Sequence, residues 1–246
     1  MTDPDDVTDA AFRLVAAAKW GEPCDPVRDL IDEDDLVTAY AVQALVSRHR
    51  QENGHRVVGR KIGPSSCFGT LFDDMAYGDR QPIALGTLLQ PRVEAEVGFV
   101  LGRDLAMERP TVSDVIRATE FVLPAIEVID SRIFDWDTTV ADTIADNACS
   151  GAYVLGSTPR ALREVELVGA GLELESCGYG QLGNPVVAVT CLARTLAAAG
   201  TMLRAGDVVL SGAVGPVVPV RGPGSFHARI AGLGAVTATF VAGEAA

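Results

Sequence analysis

Apolar positions recur at helical spacing from about Val7 to Trp20, where Val7, Ala11, Leu14, Val15 and Ala18 form one stripe that Gly21 and Pro23 stop. A second helix is predicted after Asp34 or Asp35, with Leu36, Ala39, Tyr40, Leu45 and Val46 as its apolar face and a basic end, Arg48-His49-Arg50, suited to the negative C-terminal dipole. Beyond Asn53-Gly54 the pattern changes to short strands punctuated by Gly and Pro, predicted over Arg56 to Ile62, Ile83 to Leu89, Val93 to Leu101 and Val122 to Ile129. Thr111 and Ser113 announce a helix through about Thr119. Strand patterning returns at Ala152 to Leu155 and Val165 to Ser176, and Asn184-Pro185 opens a helix to about Ala199. The tail reads as strands at Val208 to Leu210, Val217 to Val220, His227 to Ile230 and Ala235 to Val241. Helices gather at the N-terminus and βαβ alternation is scarce. The expected fold is therefore α+β, with a mostly antiparallel or mixed sheet core. A single domain over 1–246 is expected, helical over 1–55 and β-rich over 56–246.

Three acids break the apolar pattern. In Pro91-Arg92-Val93-Glu94-Ala95-Glu96-Val97 the two carboxylates share one face of a strand, with Cα atoms roughly 7 Å apart. Glu127 stands alone in Ala125-Ile126-Glu127-Val128-Ile129, another strand of buried character. Two readings are open. The acids pair with Arg92, Arg103 or Arg132 at a strand edge, or they hold one hard divalent cation, for which oxygen-only ligation favours Mg²⁺ or Mn²⁺ over zinc. Lys61 ends an apolar run, Val57-Val58-Gly59-Arg60-Lys61-Ile62, and is either a proton carrier with a pKa lowered by desolvation or a strand-end lysine reaching water. Ser211-Gly212 follows a strand and could offer backbone N–H groups to an anion. Asp73, Asp74 and Asp79 read as turn and capping acids, and His49 and His227 as structural.

Charge narrows the partners. A formal net charge of −13 argues against nucleic acid and anionic membranes, while a small anionic substrate can still be met by a local cation. No apolar run reaches spanning length, and the acidic start, Met1-Thr2-Asp3-Pro4-Asp5-Asp6, lacks the organisation of a signal peptide. Five scattered cysteines without a CxxC pair fit reduced thiols in a cytoplasmic protein.

With these pieces placed, the chain resembles the 2-keto-4-pentenoate hydratase and 4-oxalocrotonate decarboxylase branch of the fumarylacetoacetate hydrolase superfamily along nearly its whole length. The resemblance rests on Tyr40-Ala41-Val42-Gln43, Gly59-Arg60-Lys61-Ile62-Gly63, Phe68-Gly69-Thr70-Leu71-Phe72-Asp73-Asp74-Met75, Gln90 to Glu96, Ala125 to Arg132, Asp146-Asn147, Gly183-Asn184-Pro185 and Leu203 to Asp207 leading into Ser211-Gly212. It implies a β-rich roll with peripheral helices, a homo-oligomer, Glu94, Glu96 and Glu127 as metal ligands, and Lys61 as an active-site lysine. Arg60, Ser211 and Gly212 are candidate substrate-binding positions. The implied activity is hydration of 2-hydroxypenta-2,4-dienoate to 4-hydroxy-2-oxopentanoate. The alternatives are decarboxylation of a related 2-oxo acid, a changed substrate or reaction, and a non-catalytic accessory subunit. One segment departs from the branch: between Lys61 and Phe68 its hydratases carry a loop longer by roughly ten residues, with an aspartate where this chain has Cys67.

Overall fold

Local signals start and stop the helices, and the first begins at Pro4, ahead of the start near Thr8 or Asp9 that its apolar stripe suggests. In the computed structural model, which describes residues 3–63, 67–174, 178–181, 183–213 and 215–243, the Asp3 carboxylate accepts from the Asp5 amide and opens α1 (Pro4–Trp20), which Gly21 ends in a left-handed conformation. Asp35 caps α2 (Leu36–Glu52) through the Thr38 amide. Thr111 and Asp114 form a reciprocal capping box on α3 (Val112–Ala118), and Thr139 and Asp142 form another on α4 (Val140–Ala145). Asn184 caps α5 (Pro185–Ala198).

The strands form two sheets. The first contains β1 (Val57–Ile62), β2 (Phe68–Phe72), β3 (Ala76–Gly78), β5 (Arg92–Leu101), β6 (Thr119–Ile129), β7 (Ser150–Leu155) and β10 (Val208–Leu210) in the order β2-β1-β10-β5-β6-β7-β3, with β11 (Val218–Pro219) paired to β5. The second runs β4-β13-β12-β8-β9, from β4 (Pro82–Ala84), β8 (Gly171–Leu174), β9 (Gly178–Gln181), β12 (Gly224–Ile230) and β13 (Gly234–Val241). Parallel pairing of β1 with β10, β3 with β7 and β4 with β13 makes both sheets mixed, as expected. Odd-numbered residues of β5, from Val93 to Leu101, pack with Ile126, Val128, Val154 and Val209 against Ala228, Ile230, Val236 and Phe240 of the second sheet, forming the main core.

The opposite face of the first sheet curls inward. Leu71 and Phe72 of β2 share a smaller buried cluster with Ala125 of β6, Tyr153 of β7 and Leu210 of β10, so strands distant in the sheet order meet across the concavity. Glu94, Glu96 and Glu127 belong to this inner face by strand alternation. Helices α1, α2 and α4 cover one end through a third cluster that includes Cys67 and Ala148.

Three expectations change in detail. The strand predicted from Ile83 to Leu89 stops at Ala84, where a short turn over Leu85–Thr87 follows and the Thr87 hydroxyl donates to the Ala84 carbonyl at 2.7 Å. The strand predicted from Val165 to Ser176 begins only at Gly171, after a left-handed Gly169, and Ser176 lies outside the described residues. The sequence pattern misses β2, β3, β9 and α4, which are short and lack a long periodic stripe.

β2 is an edge strand, and its outer edge is satisfied by side chains instead of a neighbouring strand. The Phe68 amide donates to the Tyr40 hydroxyl, and Gln43 Nε2 donates to the carbonyls of Phe68 (2.8 Å) and Ile144 (2.9 Å). Asn147 accepts from the Thr70 amide at 2.7 Å and donates back to the Thr70 carbonyl at 2.9 Å. Replacing Gln43 by Leu strands two carbonyl acceptors in the interior. The expected loss is about 2–4 kcal/mol of unfolding free energy in urea, and a loss under about 1 kcal/mol would show that this clamp carries no weight.

Candidate metal and catalytic site

The register of β5 and β6 sets Glu94 directly opposite Glu127, with Glu96 two residues further along the same face. A carboxylate oxygen from each of the three lies within 4.8 Å of the others. Like charges directly opposite on a sheet repel, and here Glu96 and Glu127 are fully buried, so water cannot screen them. Among the described residues, Lys61 is the one side-chain cation that reaches Glu127. Its Nζ stands 2.8 Å from Glu127 Oε1, with both side chains almost wholly removed from solvent. This is a close ion pair, and no hydrogen-bond donor besides the Lys61 ammonium reaches Glu127, nor any donor Glu96 Oε1, among the described residues.

The other oxygen of Glu96 is held. Gly212, in a left-handed conformation (φ 86°), donates its amide to Glu96 Oε2 at 2.9 Å. Ser211 beside it donates its amide to the Val97 carbonyl, and its hydroxyl accepts from the Val97 amide. The structure thus sets the Gly212 amide on the protein's own Glu96 carboxylate and the Ser211 amide on the Val97 strand. Arg60 lies on the other face of β1 from Lys61. It pairs with Val209, a main-core residue, whereas Lys61 pairs with Leu210 of the inner cluster, so strand alternation turns Arg60 away from the acids. Its guanidinium donates to the Gly59 carbonyl, and burial lowers its pKa.

Electrostatics follow from burial. Desolvation, reinforced by the charge of Glu127, pushes Glu94 up to about 7, with Lys61 opposing. Glu96 is raised well above the usual carboxylate range, by desolvation first and then by Glu127 and Glu94. Desolvation pulls Lys61 down, yet the combined charge of Glu127, Glu94 and Glu96 outweighs it, so in the absence of another cation the ammonium is held charged. Cys67 is buried with the helical cluster, and desolvation raises its thiol against the pull of Lys61. It stays protonated and offers no base at neutral pH.

Sequence reasoning passes over the turn beside Lys61. Asn147, Ala148 and Cys149 hold φ values of 54°, 51° and 55°, three successive left-handed residues without a glycine. Such positions cost on the order of 1–3 kcal/mol each and persist only when their surroundings fix them. Here Cys149 N donates to the Asp146 carbonyl, Asp130 N to the Cys149 carbonyl and Ser150 Oγ to the Asn147 carbonyl, while Arg132 grips the Asp146 carboxylate. The motif Asp146-Asn147 was visible in the sequence; its backbone conformation was not.

Three clustered carboxylates, with Glu96 Oε1 and Glu127 Oε2 buried and unpartnered, fit a hard divalent ion, whereas a His or Cys set would point elsewhere. A second cluster, His55, Asp73 and Asp74, is more open and already faces Arg50 and Arg56.

Fold and site together define a β-rich protein with a buried carboxylate cluster of hard-cation type. Residues 40–241 match the family described as fumarylacetoacetate (FAA) hydrolase, C-terminal, and the chain belongs to it. It is 50% identical, over 95% of both chains, to a TodF product hydratase from Pseudomonas putida F1, and 46% identical to a 2-keto-4-pentenoate hydratase from Burkholderia vietnamiensis G4, over 98% of this chain and 99% of that one. The solved 4-oxalocrotonate decarboxylase from Pseudomonas putida G7, complexed with magnesium and adipate, superposes with a TM-score of 0.90 at 28% identity, covering 98% of this chain and 99% of that one. The first alignment spans 254 positions but takes in 95% of 246 residues, so about 20 positions have no counterpart here.

The pKa shifts fix the sign of a pH effect. Folded Glu94 keeps its proton to about pH 7, whereas an unfolded glutamate releases it near 4.5. Its contribution to stability is therefore complete below about 4.5 and lost as pH rises through 7. Urea unfolding in chelator is expected to weaken from pH 5 to 8, and Glu94→Gln to flatten that slope. Mn²⁺ affinity is expected to run the other way, falling about tenfold per pH unit below 7 for each proton displaced. An affinity independent of pH would contradict this protonation scheme.

Proposed function

We propose that Glu94, Glu96 and Glu127 hold one Mg²⁺ or Mn²⁺ and that the chain is the hydratase of a small 2-hydroxy-dienoic acid, 2-hydroxypenta-2,4-dienoate or a near homologue. The enzyme is of the lyase type. The observation that carries the reading is the Lys61 ammonium 2.8 Å from a buried carboxylate in a three-glutamate cluster, in a chain whose relatives at 45–50% identity are hydratases. The magnesium complex of the decarboxylase at TM-score 0.90 supports the choice of metal. That structural likeness also supports decarboxylation as the second reading, and the hydratase reading is favoured by the higher sequence identity.

When bound, the ion supplies a Lewis acid that polarises a 2-oxo acid and compensates its charge. Gly212 fixes the direction of Glu96 through its amide. Lys61 Nζ, held at Glu127, carries the proton between the substrate's enol oxygen and its carbon chain, which converts the dienol to an enone able to accept water at its far end. Leu71, Phe72, Met75 and Tyr153 line the same concave face and exclude bulk water. Cys67 supplies no base, so its aspartate-like role is not retained.

We place the enzyme in the cytoplasm as a homo-oligomer, a reading supported by reduced cysteines and by Phe12 and Trp20, about 70% exposed on α1. No helix among the described residues is long and apolar enough to cross a membrane.

The test is product analysis with Mn²⁺. Purified chain is expected to convert 2-hydroxypenta-2,4-dienoate to 4-hydroxy-2-oxopentanoate on the order of 10 s⁻¹. Lys61→Met is expected to lose about 10²- to 10⁴-fold with Mn²⁺ affinity intact, and Cys67→Ala to stay within about threefold. Preferred release of CO₂ from 4-oxalocrotonate would replace the hydratase reading with the decarboxylase one. Full turnover by Lys61→Met would remove that residue from the chemistry.

A further inference from the structure

Lys61 is enclosed by backbone. Across the β1–β2 ladder it faces Gly69, and Gly63 follows it two residues along on the same face. A Cβ at Gly69 would run into the Asn147 carbonyl oxygen and stand 2.6 Å from Ser150 Oγ, and one at Gly63 would meet Cys67 Sγ at 2.7 Å and Ala148 Cβ at 3.4 Å. The left-handed turn over 147–149 thus sits in the space that two missing side chains leave beside the lysine. The Asn147 side chain ties it to β2. Asn147, buried, spends its amide oxygen and nitrogen on the N–H and C=O of Thr70, the residue after Gly69.

We propose that Asn147 is a positioning residue: by locking the turn to Thr70 it closes the wall along Lys61 and keeps the ammonium on Glu127. The inference rests on Lys61 as the proton carrier. It gives the strained turn a purpose, since a right-handed connection at 147–149 would present its backbone differently to Gly69 and leave the lysine room to swing.

The chain has only two lysines, and Lys19 is exposed, so ¹⁵N-lysine labelling resolves the Lys61 ammonium by NMR without ambiguity. Asn147→Gly removes the clamp yet accepts the left-handed backbone, and near-isosteric Asn147→Asp keeps the acceptor for the Thr70 amide while losing the donor to its carbonyl. In both, hydrogen exchange of the Lys61 ammonium is expected to speed at least tenfold. The kcat for solvent-deuterium incorporation into 2-oxopentanoate is expected to fall at least tenfold with KM within threefold, Mn²⁺ affinity likewise unchanged, and Asp milder than Gly. An unchanged ammonium signal in either folded variant overturns the proposal, as does a loss of Mn²⁺ affinity matching the loss of turnover, which marks general damage. If Gly fails to fold, Asp decides. If Lys61→Met itself exchanges deuterium at the wild-type rate, the proton-carrier reading fails, and the ammonium signal still decides whether Asn147 sets the lysine's position.

Discussion

The repulsion among three carboxylates on one buried sheet face is the constraint around which the rest of this structure is arranged. Glu94 and Glu127 are cross-strand partners, and Glu96 is fully buried, so the cluster gains neither distance nor water to weaken its self-repulsion. One ammonium lies in contact with it, at Glu127. A single positive charge leaves the cluster under-compensated, and the raised Glu94 and Glu96 express this deficit as retained protons. A divalent cation is the complementary charge, and protons hold its place at low pH.

Bringing a lysine from β1 to a glutamate on β6 requires the sheet to curl, because two strands separate them in the ladder. The curl is filled by Leu71, Phe72, Tyr153 and Leu210, which bury apolar area on the same face and give the acids a low-dielectric wall. Burial stabilises the curl and raises the electrostatic cost within it, so the two effects are coupled. The outer edge of β2 would be an unpaired strand edge; Tyr40, Gln43 and Asn147 meet its amides and carbonyls instead, and the helical layer is thereby tied to the strand facing Lys61. Left-handed strain in the 147–149 turn is the local cost of bringing that layer so near.

Much of this was legible in the chain. The period-two runs placed β5 and β6, and acids within those runs stood out because strand alternation assigns them to a face without any knowledge of the fold. Capping residues at Asp35, Thr111 and Asn184 marked helix starts within a residue or two. Lys61 was visible as a cation in an apolar context, but its partner was not, since Glu127 lies 66 positions away and meets it only through the curl. Arg60 is next to Lys61 in the chain, and strand pairing sends these neighbours to opposite faces. Ser211 and Gly212 were recognisable as anion-facing backbone, but sequence does not reveal that the anion is Glu96. Left-handed geometry at Asn147 to Cys149 carried no signal, because none of the three is a glycine and tertiary contacts impose it.

The central claim is that the three glutamates form one cation site balanced by Lys61. Anomalous X-ray scattering at the manganese edge, from crystals soaked in Mn²⁺ at pH 8, tests it most directly. The account predicts one strong peak within coordination distance, about 2.0–2.4 Å, of oxygens from Glu94, Glu96 and Glu127, absent from Glu96→Gln crystals prepared alike. A peak at His55, Asp73 and Asp74 with none at the glutamates, or no peak at either, would contradict it.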